Sequence, residues 1–192
     1  MGVEPDERMA AFARAQGLTV EAGTLEDWDP AGRLFDLLVA GQAWHWVDPH
    51  AGAVKARSVL RPRGRIGLFW NWARHPEDVQ AAFDAVYARL APELHRYSIV
   101  LGRGTDERFS VSEAGLAQAG FGGVARQEFV WSTTYTRQQW HDSLLTHSDH
   151  HTLAEGPREA LLAGVDEVID AMGGSFTTNY RTVLVSAVGP GA

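Results

Sequence analysis

The chain contains no cysteine. That excludes a disulfide framework, a thiolate metal site and a cysteine nucleophile. No apolar run reaches the roughly 20 residues that a membrane helix needs, and no basic segment followed by an apolar one opens the sequence. The expectation is a cytosolic protein. Positive charge is in deficit: 17 Lys and Arg stand against 24 Asp and Glu, for a formal net charge of -7. This disfavours nucleic-acid binding through a general basic field. The 192 residues are 45% apolar, which suits one folded domain with a sizeable core and argues against disorder. Abundant Ala, Arg and Gly point to a GC-rich bacterial genome.

A local absence has wider consequences. Met1-Gly2-Val3-Glu4-Pro5-Asp6 reads as the tail of a buried strand that ends on an acidic residue and leads into a helix. In dinucleotide-type folds such an acidic residue hydrogen-bonds ribose hydroxyls, and a glycine-rich loop stands about 20 residues earlier. No such loop precedes Glu4. The expectation is a chain that enters a nucleotide-binding fold after its first strand and helix.

What is present alternates between strand and helix. Residues 6–16 predict a short helix, capped by Asp6, with Met9, Phe12 and Ala13 on one face and Gly17 as its stop. Residues 18–21 predict a short strand. Residues 34–40 form a near-continuous apolar run broken only by Asp36, as in a parallel strand buried on both faces. A helix over 49–60, a turn at Arg61-Pro62-Arg63-Gly64 and a strand over 65–70 follow. This spacing predicts a parallel sheet with right-handed crossovers. Further on, 76–90 is an amphipathic helix with Val79, Phe83, Val86 and Leu90 at helical spacing. Helices over 112–119, 136–145 and 157–172, and strands over 124–132 and 176–188, complete the pattern. The fold class is therefore α/β, Rossmann-like: a mostly parallel sheet with helices on both faces, N-terminally truncated, an antiparallel last strand and a helical cap. The chain reads as one domain, with a cofactor-side half over 1–72 and the substrate cap and late strands over 73–192.

Four stretches are similar to the class I S-adenosylmethionine-dependent methyltransferases of the small-molecule type, near the trans-aconitate and ubiquinone-biosynthesis enzymes. Gly2-Val3-Glu4-Pro5 with Met9 resembles the family's second strand, acidic ribose ligand and following helix. Gly23-Thr24-Leu25-Glu26-Asp27 resembles the loop that receives the adenine. Phe35-Asp36 through Gln42-Ala43-Trp44-His45-Trp46 resembles the fourth strand and its active-site turn. Val59-Leu60-Arg61-Pro62-Arg63-Gly64-Arg65 resembles the helix end and turn before strand five. The likeness is strong to about Trp72 and weak beyond it.

The resemblance implies S-adenosylmethionine as cofactor and methyl transfer to a small-molecule acceptor. It assigns Glu4, with Pro5, to the ribose, and Thr24, Leu25 and Glu26 to the adenine. Ala40, Gly41, Gln42 and Trp46 would line the methionine end. Glu4 also reads as a plain helix-start carboxylate favoured by the dipole, and 23–27 as a capping loop. Trp44, Asn71, Trp72 and His147 are the candidate substrate contacts. His45 reads as a general base, as a structural histidine, or as part of the lining of the methionine end or substrate mouth. The acceptor chemistry is left open among carboxylate, phenol, carbon and amine. The family turn has glycine where Arg63 stands, a change that is tolerable unless this residue is left-handed.

Ser148-Asp149-His150-His151, with His141, His147 and Asp142 nearby, offers imidazole and carboxylate groups but no closed metal-ligand spacing, so no metal is expected. Gly102-Arg103-Gly104 and Gly120-Phe121-Gly122-Gly123 are not phosphate loops, because neither joins a strand to a following helix. The second reads as a helix C-cap.

Without the glycine-rich unit, of roughly 30 residues or more, the resemblance implies a sheet lacking a central strand. Two edges would then stand unpaired, at the strand of Glu4 and the strand of residues 34–40. An alternative follows: a non-catalytic module derived from a methyltransferase, forming a homodimer through Val3 and Leu37. A nicotinamide-dependent fragment fits less well, because the Gln42–Trp46 turn and the Pro-Arg-Gly turn are closer to methyltransferases. No nucleic-acid or membrane partner is expected.

Overall fold

Asp6 starts the first helix by accepting the amides of Arg8 at 2.8 Å and Met9 at 3.3 Å. This helix, α1 (Glu7–Ala15), follows strand β1 (Gly2–Glu4), and Gly17, at φ +85°, turns the chain into β2 (Val20–Ala22). The computed structural model describes residues 1–96, 98, 100–101 and 107–191. β1 and β2 pair in parallel, Gly2 with Val20, Val3 with Glu21 and Glu4 with Ala22. β3 (Phe35–Gly41) pairs in parallel with β4 (Leu60–Arg74), from Leu37 opposite Arg65 to Gly41 opposite Phe69. Between them runs α2 (Pro49–Val59), capped by Asp48 with proline in its first turn.

The remaining elements are α3 (Glu77–Leu90), α4 (Pro92–His95), α5 (Glu107–Gln118), β5 (Gly122–Thr136), α6 (Arg137–Leu144), α7 (Glu155–Ala171) and β6 (Ser175–Val188). The strands form a two-stranded sheet, β1–β2, and a four-stranded sheet of order β3–β4–β6–β5. Trp131 bonds to Thr182 and Thr134 to Thr177, so residue numbers rise along β5 as they fall along β6, as in antiparallel neighbours. The architecture is the predicted α/β sheet with parallel leading strands.

The chain divides into two compact units. The first holds residues 1–70, 107–127 and 184–191. Its core contains Ala53, Ala56, Val59, Ile66, Leu68, Trp70, Phe109 and Leu116. Gly115 of α5 sits against the Pro49 carbonyl of α2, so closely that a Cβ would collide with it. The second holds 71–101 and 128–183 apart from the residues not described. Its core joins Val79, Phe83, Val86 and Tyr87 of α3 to Leu161, Val165 and Ile169 of α7. Trp140 stacks on Phe83 at 6.0 Å and meets Phe176 edge-on at 5.0 Å.

Several expectations are corrected. β3 is not buried on both faces: Leu37 is 57% and Val39 61% exposed. Among the described residues β3 pairs only with β4, so its other edge has no neighbour. Met9 and Phe12 of α1 also face outward, while Ala10 is buried, because the helix packs through its small residues. β4 begins at Leu60 and absorbs the predicted turn, and α5 begins five residues before the predicted start. The Gly120 region is a helix C-cap, with Gly120 at φ +87° and its amide bonded to Ala117. Gly102, Arg103 and Gly104 lie outside the described residues.

Arg63 adopts φ +62°, the left-handed region that disfavours a side chain. Its amide donates to the Pro190 carbonyl at 3.0 Å, which holds the conformation. Arg63→Gly is therefore expected to stabilise the chain by up to about 1 kcal/mol, measured by urea denaturation. A loss of stability would contradict this reading of the turn.

Candidate functional site

The carboxyl end of β3 is where side-chain chemistry concentrates in the first unit. Gly41 lies against the Phe69 ring, where a Cβ would collide. Gln42 follows at φ +53°, with its amide donating to the Phe69 carbonyl at 2.9 Å. A non-glycine residue held left-handed at a strand end is local strain, of the kind that collects at ligand sites. A single 3₁₀ turn, Trp44–Trp46, comes next. Trp44 is buried, packed near Gly52 of α2, so it serves the core rather than an open pocket. Trp46 is 73% exposed and lies 5.0 Å from the His45 ring.

His45 is half-buried, and its Nδ1 meets no partner among the described residues. Burial lowers its pKa below the ordinary histidine range, and the Arg108 charge lowers it further. Both effects favour the neutral imidazole. The turn closes at Asp48, whose carboxylate caps α2 through His50 and Ala51 and whose own amide donates to Glu26 Oε1 at 2.9 Å. That bond ties the loop after β2 to the turn after β3. One oxygen of Glu26 is thereby occupied within the protein.

Glu4 ends β1, half-buried. Its Oε1 accepts the Asp6 amide at 2.9 Å, and its second oxygen meets no partner among the described residues. Its carbonyl accepts the Gly23 amide at 3.1 Å, which sets the start of the next loop beside the strand end. Pro5 is exposed, Leu25 is half-buried, and Thr24 and Asp27 hydrogen-bond each other. Ala40 is half-buried on β3.

A feature that sequence reasoning missed lies beside these groups. Arg33 forks onto Glu21, at 2.7 and 2.8 Å, and Trp28 Nε1 donates to the same carboxylate at 2.6 Å. The hydrogen bonds from Arg33 and then Trp28 lower the Glu21 pKa to about 2. The twelve-residue separation of Glu21 and Arg33 leaves no local signal in the sequence.

Asn71, Trp72 and His147 belong to the second unit. Asn71 Oδ1 accepts from Thr182, whose oxygen accepts from Trp131 Nε1, so its carbonyl is engaged within the sheet. Trp72 is 3% exposed. His147 is half-buried, its pKa lowered mainly by burial, with its ring 5.9 Å from His150. Asp149 accepts from His150 Nδ1 at 2.7 Å, which leaves Nε2 to accept the Tyr87 hydroxyl at 2.8 Å. Burial, then the Asp149 charge, pushes the Tyr87 phenol up. Tyr87, His150 and Asp149 thus form one hydrogen-bonded chain. Among the described residues no three His, Cys, Asp or Glu side chains are grouped to hold a metal ion. No helix among them is long and apolar enough to cross a membrane.

No family model matches the chain. Over 49 residues it is 45% identical to an uncharacterized methyltransferase of Mycobacterium tuberculosis, a match covering 26% of this chain and 20% of that protein. Over 137 residues it is 26% identical to an uncharacterized methyltransferase-like protein of Schizosaccharomyces pombe, covering 69% of this chain and 48% of that protein. Among solved structures, a putative type II methyltransferase from Anaeromyxobacter dehalogenans matches with a TM-score of 0.58 at 17% identity, covering 99% of this chain and 80% of that one. The fold is that of the class I methyltransferases. The chain spans a fifth of one curated relative and about half of the other. On a doubly wound fold of this kind, ligands bind outside the carboxyl ends of the parallel strands; Glu4 ends β1 and Gln42 follows β3, each at the carboxyl end of its own strand.

Nuclear magnetic resonance titration of His45 is expected to give a midpoint below that of a free histidine. Arg108→Gln should move that midpoint upward, because it removes a positive charge that opposes protonation. A midpoint that stays put or falls would show that Arg108 does not act on the ring.

Proposed function

We propose that this chain binds S-adenosylmethionine along the carboxyl edge of its parallel strands and serves methyl transfer to a small-molecule acceptor. The observation that carries the proposal is the Glu4 carboxylate at the end of β1. One oxygen is held by the Asp6 amide and the other meets no partner among the described residues, as suits a group that takes ribose hydroxyls. The residues present fit that role, with Leu25 as an apolar flank for an adenine. The strained Ala40-Gly41-Gln42 turn is a backbone surface toward the methionine end.

The cofactor supplies an electrophilic methyl group on a sulfonium. The protein's share is to bind, orient and exclude water, because an in-line displacement gains most from holding the reacting atoms in contact. Trp46, largely exposed beside the turn, offers an aromatic wall. His45, whose neutral form is favoured by burial and by the Arg108 charge, is placed to take a proton from a phenol or amine acceptor. A carboxylate acceptor needs no such base.

Equilibrium binding of S-adenosylhomocysteine to the wild-type chain, Glu4→Gln and Glu4→Ala tests the assignment. Glu4→Ala should weaken binding about 10- to 100-fold, the range for losing charge-assisted hydrogen bonds, with Glu4→Gln in between. Unchanged affinity in Glu4→Ala would remove Glu4 from the site.

A further inference from the structure

We infer that Glu26 is a positioning residue, which tethers the turn carrying His45 and Trp46 to the loop after β2. The inference rests on the cofactor reading above only for what those two segments bind. The amide of a helix N-cap needs an acceptor of its own. In a capping box the residue three positions on, a Glu or Gln, reaches back to accept it. Helix α6 is built that way, with Gln139 accepting the Thr136 amide at 3.0 Å. Helix α2 has only half of the device. Asp48 accepts the amides of His50 and Ala51, but the residue three positions on is Ala51, whose side chain accepts nothing. Glu26, 22 residues earlier in the chain, accepts the Asp48 amide at 2.9 Å. The second half of the box thus comes from the loop and not from the helix.

The consequence falls on the turn. On its inner side Trp44 and Val47 lie against Gly52 of α2, where a Cβ would collide with Val47. Between them His45 is half-buried and Trp46 exposed. The Trp46 amide donates to the Ala43 carbonyl at 3.0 Å, and the Val47 amide to the Trp44 carbonyl at 3.1 Å. These local bonds fix the shape of the turn but not its distance from the loop, which Glu26 sets. The loop is held on both sides of Glu26, by the bond between Thr24 and Asp27 and by Trp28 donating to Glu21. Leu25 and His45 therefore stand on segments at one fixed separation, as the base side and the acceptor side of a methyl transfer require.

Nuclear magnetic resonance titration of the His45 ring tests this on the intact chain. Glu26→Gln and Glu26→Met lose the same charge and keep a similar length, and only glutamine retains an acceptor for the Asp48 amide. Glu26 is half-buried on a loop, so both variants retain the fold, as circular dichroism would verify. Glu26→Gln should titrate with the wild type. Glu26→Met should move the midpoint upward, toward the ordinary value of about 6.5, because a loosened turn gives the ring more water. Adding Ala51→Gln, at an exposed position, to Glu26→Met supplies a local capping box. It should return the thermal stability and leave the His45 midpoint displaced. An unmoved midpoint in Glu26→Met, an equal shift in both single variants, or a midpoint restored by Ala51→Gln would each overturn the tether. S-adenosylhomocysteine binding by the same proteins is scored apart. A wild type that fails to bind overturns the cofactor reading, and the histidine response still decides the role of Glu26.

Discussion

The parallel ladder between Leu37–Gly41 and Arg65–Phe69 is the constraint on which the rest of the first unit depends. It aligns the carboxyl ends of β3 and β4, so that the Gln42 amide meets the Phe69 carbonyl and the chain must turn left-handed there. The turn then delivers Trp44 into the core and His45 and Trp46 to the rim. Asp48 locks its far end twice, by capping α2 and by donating to Glu26. The positions of the chemically active side chains thus follow from backbone pairing, with side-chain bonds fixing what the ladder leaves loose.

The same ladder has a consequence at its other edge. A parallel strand normally lies between neighbours and is covered on both faces. β3 has one neighbour among the described residues, and Leu37 and Val39 on its face are more than half exposed. β1 and β2 form a three-residue parallel pair of their own, too small to be stable without the helix and the Glu21–Arg33–Trp28 cluster beside it.

Much of this was legible in the sequence. Asp6 and Asp48 announce their helices because capping is a local interaction. Val79, Phe83 and Val86 mark α3 by spacing, and β3 falls within one residue of the apolar run that predicts it. What was hidden depends on partners distant in sequence. An apolar run records what a strand prefers to meet and not what it meets, so the run alone predicts burial on both faces where Leu37 and Val39 are exposed. The Arg33 fork on Glu21 and the bond from Tyr87 to His150 join residues twelve and 63 positions apart. Arg63 and Gln42 carry side chains at left-handed positions where composition would suggest glycine, so their turns leave no compositional mark.

The central claim is that the carboxyl edge holding Glu4 and the Ala40–Trp46 turn is a cofactor surface. Amide chemical-shift mapping with S-adenosylhomocysteine tests it most directly. The account predicts shifts at residues 4–6, 24–27 and 40–46, with the amides of α3 and α7 unmoved. An unchanged spectrum, or shifts confined to residues 71–96 and 128–183, would contradict it.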